Sequence, residues 1–191
     1  ASSIRTKIGG SAGTGRINVN GTFTSASNLT VQYALIDINS SFNGFGVPTR
    51  QRYHLRNLNT RGGYSFRYNT AFAANTAAVA AMERAFTSWR CATGVNFRSS
   101  STTTSIATSA SDGTNAVFFD PALPAGTLGV AVSQFSGAAT GLCNLQNTVW
   151  WLADVDISYR PNPGALTWEF GPAAPSSSEF DFESVALHEL G

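Results

Sequence analysis

Two adjacent residues, His188 and Glu189, carry the side chains best suited to chemistry in this 191-residue chain. A neutral imidazole is a nitrogen ligand for Zn²⁺, and a carboxylate beside it can take a proton from a metal-bound water. The pair stands in Ser184-Val185-Ala186-Leu187-His188-Glu189-Leu190-Gly191. Phe182, Val185, Ala186 and Leu190 fall at i, i+3, i+4 and i+8, which predicts a helix with one apolar face turned toward a sheet. Ser178 or Asp181 can cap its start. On such a helix a second His four residues after His188 would lie one turn above it, so both could reach one metal ion. That position would follow Gly191. Taken alone, the pair reads more readily as a solvated helix turn. The other histidine, His54 in Arg52-Tyr53-His54-Leu55-Arg56, reads as a strand surface residue.

The elements that must position this helix begin near Gly62. Tyr64-Ser65-Phe66-Arg67-Tyr68 alternates with period two, as a half-buried strand does. Residues 75–93 give the clearest helix, with Asn75 and Thr76 able to cap its start and Gly94 just past its end. Val79, Met82, Phe86 and Trp89 recur at helical spacing and define its buried face. Strands are expected over Val95–Arg98, Asn115–Phe119, Gly126–Phe135 and Val149–Tyr159, with a Ser/Thr-rich, surface and mobile loop over 99–114. A helix between the first two strands implies a crossover, hence a parallel pair in a mixed sheet. The first 60 residues are rich in Gly, Ser, Thr and Asn, with strands expected at Arg16–Val19 and Leu29–Ile36 and a loop at Asn43–Pro48. They form a β-rich N-terminal extension or the end of a pro-segment, and residues 61–191 form the domain with the chemistry.

Composition narrows the class of partner. Charged residues make up only 12% of the chain, and twelve basic residues against eleven acidic ones leave a formal charge of +1. Lys7 is the sole lysine. Such a balance offers no footprint for nucleic acid or for an anionic membrane surface. No apolar stretch approaches the roughly 20 residues that span a bilayer. Cys91 and Cys143, far apart in a Ser/Thr-rich chain, suit a disulfide in an oxidising compartment, the alternative being two unconnected buried thiols. The expected setting is extracellular.

Residues 179–191 resemble the active-site helix of the metzincin zinc peptidases, and of the matrixin-like ones in particular. Their motif, HExxHxxGxxH, commonly opens HELGH after a small apolar run such as Ser184-Val185-Ala186-Leu187. The resemblance extends over roughly residues 64–191. The Tyr64–Tyr68 strand, the helix ending Phe86-Thr87-Ser88-Trp89 and the strand Val95–Arg98 look like the family's first strand, helix and second strand. Gly126-Thr127-Leu128-Gly129-Val130-Ala131 looks like the edge strand above the cleft. Ala153-Asp154-Val155-Asp156-Ile157, followed by Trp168, is similar to the last strand and its exit.

The resemblance implies an α+β zincin-like domain, with a twisted mixed five-stranded sheet and two long helices. His188 would be a ligand of a catalytic Zn²⁺ and Glu189 the general base in hydrolysis of internal peptide bonds of a protein or peptide substrate. Gly129, Val130 and Ala131 would pair with an extended substrate, or else form an ordinary edge strand. Asp154 and Asp156 could hold a structural Ca²⁺, although solvent-facing strand ends are the preferred reading of them. The remaining ligands would lie past Gly191, so the 191 residues are expected to be a monomeric, incomplete domain that is inactive by itself. Two rivals remain: a zinc peptidase whose third ligand is a Glu, and a secreted adhesion or glycan-binding module using Trp150, Trp151 and Trp168 as a stacking platform.

Overall fold

The computed structural model describes residues 15–19, 23–29, 35–38, 49–53, 64–93, 95–138 and 149–191. Two hairpins come first: β1 (Gly15–Val19) pairs antiparallel with β2 (Phe23–Leu29), and β3 (Leu35–Ile38) with β4 (Thr49–Tyr53). The single strand expected over Leu29–Ile36 is thus replaced by the end of β2 and the start of β3. His54 and the loop at Asn43–Pro48 lie outside the described residues.

From Tyr64 the chain builds a mixed sheet. Strand β5 (Ser65–Tyr68) leads through a short helix, α1 (Thr70–Ala74), into α2 (Thr76–Thr93). After α2 come β6 (Arg98–Ser99), β7 (Ala116–Phe119), β8 (Gly129–Ala138) and β9 (Val149–Tyr159). Strand β5 pairs parallel with both β6 and β7, and β7 pairs parallel with β9. Strand β8 runs antiparallel along β9 and pairs with no other described strand. These five strands, in the order β6-β5-β7-β9-β8, are the expected mixed sheet, and the parallel β5–β6 pair is the expected crossover. The β3–β4 hairpin extends the sheet to seven strands, because β4 pairs parallel with the first residues of β9.

Local chemistry explains these boundaries. Asn69 caps α1, its side chain accepting a hydrogen bond from the Ala71 amide at 2.8 Å. Asn75 ends α1 and starts α2, its side chain accepting from the Ala78 amide at 3.1 Å. The face of α2 that meets the sheet is Ala78, Ala81, Met82, Ala85 and Phe86, all fully buried, with Val79 and Trp89 half-buried at its flanks. Small residues beside large ones let the helix lie close to Tyr64 and Phe66, and Phe66 stacks on Phe86 at 5.4 Å. Each fully buried aromatic ring contributes about 1.5–3 kcal/mol through surface removed from water.

Beyond β9, residues 167–181 depart from expectation. Thr167–Glu169 and Glu179–Asp181 form a short parallel pair, β10 and β11. Only then does α3 (Phe182–Glu189) begin, with Asp181 as its cap. Within the chain α3 is eight residues long, so only α2 is the long helix expected. Its buried residues are Phe182 and Ala186, with Val185 and Leu190 half-buried beside them, which is the face read from the spacing. Phe182 is the keystone of the packing: its ring lies 4.6 Å from that of Tyr159, 5.1 Å from Phe170 and 5.2 Å from Trp168. Arg84 on α2 ties both neighbours down, bonding Glu183 of α3 at 2.7 Å and also donating to the Phe170 carbonyl. Among the described residues, no helix is long and apolar enough to cross a membrane.

Candidate functional site

The last turn of α3 lies over β8, and this contact defines the site. The register of β8 on β9 sets Gly129 opposite Tyr159, Val130 opposite Ser158 and Ala131 opposite Ile157. Cross-strand partners share a face, so Gly129 and Ala131 lie on the side of Tyr159 and Ile157, where α3 packs. The Arg160 amide donates to the Leu128 carbonyl at 2.9 Å, which makes that pair a hydrogen-bonded rung. By antiparallel alternation, the amides of Gly129 and Ala131 then point away from β9, toward the open edge of β8.

Glu189 sits against this edge. Its carboxylate lies beside Gly129 and the buried Tyr159 ring. A Cβ on residue 129 would meet Glu189 Cγ and Oε1 and Tyr159 Cδ1, each at 3.1 Å, tighter than ordinary van der Waals contact. Glycine at this position is therefore what lets the helix come down onto the strand. Burial raises the Glu189 carboxyl above the ordinary carboxylate range, opposed by the charge of His188 and, less, by the nearby Ala131 amide. The same carboxylate, together with full burial, raises the Tyr159 hydroxyl. The Tyr159 hydroxyl approaches the Met82 sulfur at 3.6 Å, so α2 buttresses the site from behind.

His188 is exposed on the same last turn. It suits Zn²⁺ as a ligand type, but among the described residues no group of three or more His, Cys, Asp or Glu side chains could hold a metal ion. These residues alone do not make a zinc centre, because a catalytic site needs three protein ligands. The structure brings Glu189, Gly129 and Ala131 together. It leaves His188 beside them in sequence and turned to solvent.

The second cluster of carboxylates lies on the opposite face of β9. Asp154 and Asp156 are 1% and 2% exposed, so the reading of them as solvent-facing strand ends is corrected. They face a surface loop rather than water. Asp154 Oδ2 accepts from the amides of Asp112 and Gly113 at 3.0 and 2.8 Å. Asp156 accepts from the amides of Ala110 and Ala116, both at 3.0 Å. Gly113 adopts φ +77°, a left-handed conformation that a residue without Cβ takes without strain, and this turn is what points two amides at one oxygen. The 99–114 segment is a surface loop, as expected, but its backbone is fastened at several points. Thr104 is also bridged to Asn69, and Asn69 donates to the Ile106 carbonyl at 2.7 Å. Asp154 Oδ2 and both oxygens of Asp156 are engaged by amides, so the pair fastens the loop, while Asp154 Oδ1 is buried without a hydrogen-bond partner.

Other expected residues fall as follows. Cys91 is exposed on the last turn of α2, whereas Cys143 lies outside the described residues, and with it their pairing. Trp168 is buried at 9% exposure, donates to the Arg160 carbonyl at 2.8 Å and meets Phe182 edge-on, so it offers no open face to a sugar. The side chains of Trp150 and Trp151 are outside the description. Sequence reasoning missed Tyr159 as the wall of the site and Arg84 as its strut. The signal for Tyr159 was its alternation with Ile157 along β9. For Arg84 there was none, since its partners lie 86 and 99 residues away.

No family model, no curated protein and no solved structure matches this chain.

Proposed function

We propose that the chain belongs to a secreted, zincin-type endopeptidase of matrixin-like character, hydrolysing peptide bonds in proteins. One observation carries the reading. The glutamate of the His-Glu pair is held over an antiparallel edge strand whose outward amides could pair with an extended peptide, at a glycine that permits the close approach. A half-buried carboxyl raised by burial is nearer in pKa to neutral pH than a free one, which suits a general base. Zn²⁺ bound through His188 would supply Lewis acidity and an acidified water, with the other ligands of the motif falling outside residues 1–191.

The chain's own groups have defined parts in this reading. Glu189 takes the proton of the attacking water and passes it to the leaving amine. The β8 edge aligns the substrate backbone. Tyr159 and Phe182 keep the floor dry, and α2, with Arg84, fixes the angle at which α3 meets the sheet. Secretion belongs to the same proposal, resting on the low charge and the separated cysteines. The rival glycan-binding reading loses Trp168 to the core.

The test is made on the full-length protein encoded by the source gene. Hydrolysis of casein that a chelator abolishes and added Zn²⁺ restores is expected. Hydrolysis that survives chelation would remove the metal from the account, and binding of glycans without any hydrolysis would favour the rival.

A further inference from the structure

The helix that carries His188 and Glu189 is held by α2 at both of its ends. At its start Arg84 bonds Glu183 at 2.7 Å and also donates to the Phe170 carbonyl. At its end the indole of Trp89 rests on the backbone of Gly191. A Cβ at residue 191 would fall 1.9 Å from Trp89 Cζ2 and 2.6 Å from Cη2, far inside any real contact. Gly191 is not among the left-handed glycines, so what it supplies here is room rather than backbone freedom. The indole is itself braced: it meets Phe97 edge-on at 6.5 Å, and Phe97 meets Tyr64 and Phe66 in the core.

Two anchors do what one would not. From Glu183 to Glu189 the helix rises about 9 Å, at roughly 1.5 Å per residue. Fastened at Glu183 alone, a tilt of roughly 10° would carry Glu189 about 1.5 Å from its seat over Gly129. The close contact at Gly129 is a stop rather than an anchor, because it resists approach but not withdrawal. A misplacement of about 1 Å at a reacting group can cost on the order of 10²-fold in rate.

We propose that Trp89 is a positioning residue: its indole seats the chain at Gly191 and so sets where His188 and Glu189 stand over β8. This inference rests on the reading of that pair as the chemical one. Trp89 supplies no reacting atom and acts through the helix. Glycine at 191 is the other half of the device, since a side chain there would lift the last turn of α3 or force the indole off Phe97.

A double-mutant cycle on the full-length protein tests this. Gly191→Ala should lower the kcat for casein hydrolysis about tenfold or more with KM little changed, because the base is displaced and the β8 edge is not. Trp89→Phe has a single ring without the indole's Cζ2 and Cη2, so it leaves the anchor slack and should lower kcat about threefold. Adding Gly191→Ala to Trp89→Phe should then cost less than about twofold, since the atoms it would strike are gone. An equal loss from Gly191→Ala in both backgrounds, or none in either, overturns the proposal. Thermal unfolding gives a readout that needs neither metal nor substrate. Gly191→Ala should lower Tm by about 3 °C or more beside Trp89 and by less than about 1 °C beside Trp89→Phe. A Gly191→Ala chain that folds only in the Trp89→Phe background is the same coupling at its strongest. Additive Tm shifts overturn the contact and leave the peptidase untouched. Coupled shifts with an unchanged kcat in Trp89→Phe overturn the positioning role. A full-length protein that hydrolyses no casein, yet shows coupled shifts, rejects the peptidase and with it this role, and leaves the packing of Trp89 on Gly191 standing.

Discussion

Strand β9 separates two carboxylate regions, one made of its own residues and one that α3 brings to its other face. On one face Asp154 and Asp156 are buried beneath the 110–116 backbone and between them accept four amide hydrogen bonds. On the other, across Tyr159 and Gly129, Glu189 is half-buried against the strand. The difference teaches what a carboxylate is for. Ringed by main-chain donors, it is a fastener whose removal strands those donors. Desolvated and without such a ring of main-chain donors, it stays able to take a proton.

Substitution should separate the two regions, and the largest effect is expected at the fastener. Asp154→Ala leaves the amides of Asp112 and Gly113 without their acceptor and should destabilise the fold by about 2–4 kcal/mol. Denaturant unfolding measures it, and a loss below roughly 0.5 kcal/mol would show that the 110–116 loop is not held as described.

The next effect is a pH dependence at Asp156. Burial, with the charges of Asp154 and Asp112 beside it, pushes this carboxyl up to about 6 despite two amide bonds. The folded chain therefore binds the proton more tightly than the unfolded chain does. Stability from this group is full below the unfolded value near 4 and declines as pH rises through about 6, by on the order of 1–3 kcal/mol. Asp156→Asn should flatten thermal stability between pH 4 and 6, and an unchanged profile in that variant would assign the dependence to another group.

Gly129→Ala comes third. The added methyl meets Glu189 and Tyr159 at 3.1 Å, so a shift of the carboxylate away from β8 and a loss of about 1 kcal/mol are expected. A crystal structure of the variant with Glu189 unmoved over residue 129 would show the contact to be looser than described.

Smallest is the effect on stability of Glu189→Ala, within about 0.5 kcal/mol of the native chain. Folding gains little from a carboxyl whose burial already disfavours its charge. A loss as large as that of Asp154→Ala would erase the distinction between the regions.

How much of this was legible depends on how local each cause was. Strand β9 could be read from Val149 to Tyr159 because its alternation is a property of the strand itself, and the faces of α2 and α3 followed from spacing in the same way. Asp154 and Asp156 were misread because a carboxylate on an alternating strand turns outward by default. Their burial depends on a loop about 40 residues upstream arriving over that face, which no pattern within β9 encodes. The pairing of β10 with β11 escaped for a similar reason: three-residue strands have too few alternations to read, and their partner lies across a Pro- and Ser-rich loop. The pair His188-Glu189 was visible at once as chemistry. That Glu189 would come down onto β8, and that residue 129 had to be glycine for it to do so, required the fold.

The most direct test of the central claim, that Glu189 is the base of a zinc peptidase, is the kcat/KM of Glu189→Gln in the full-length protein, measured together with its zinc content. A fall of about 10²–10⁴-fold with zinc retained is the expected result. Activity near that of the unaltered protein, or an unaltered protein that binds no zinc, would contradict it.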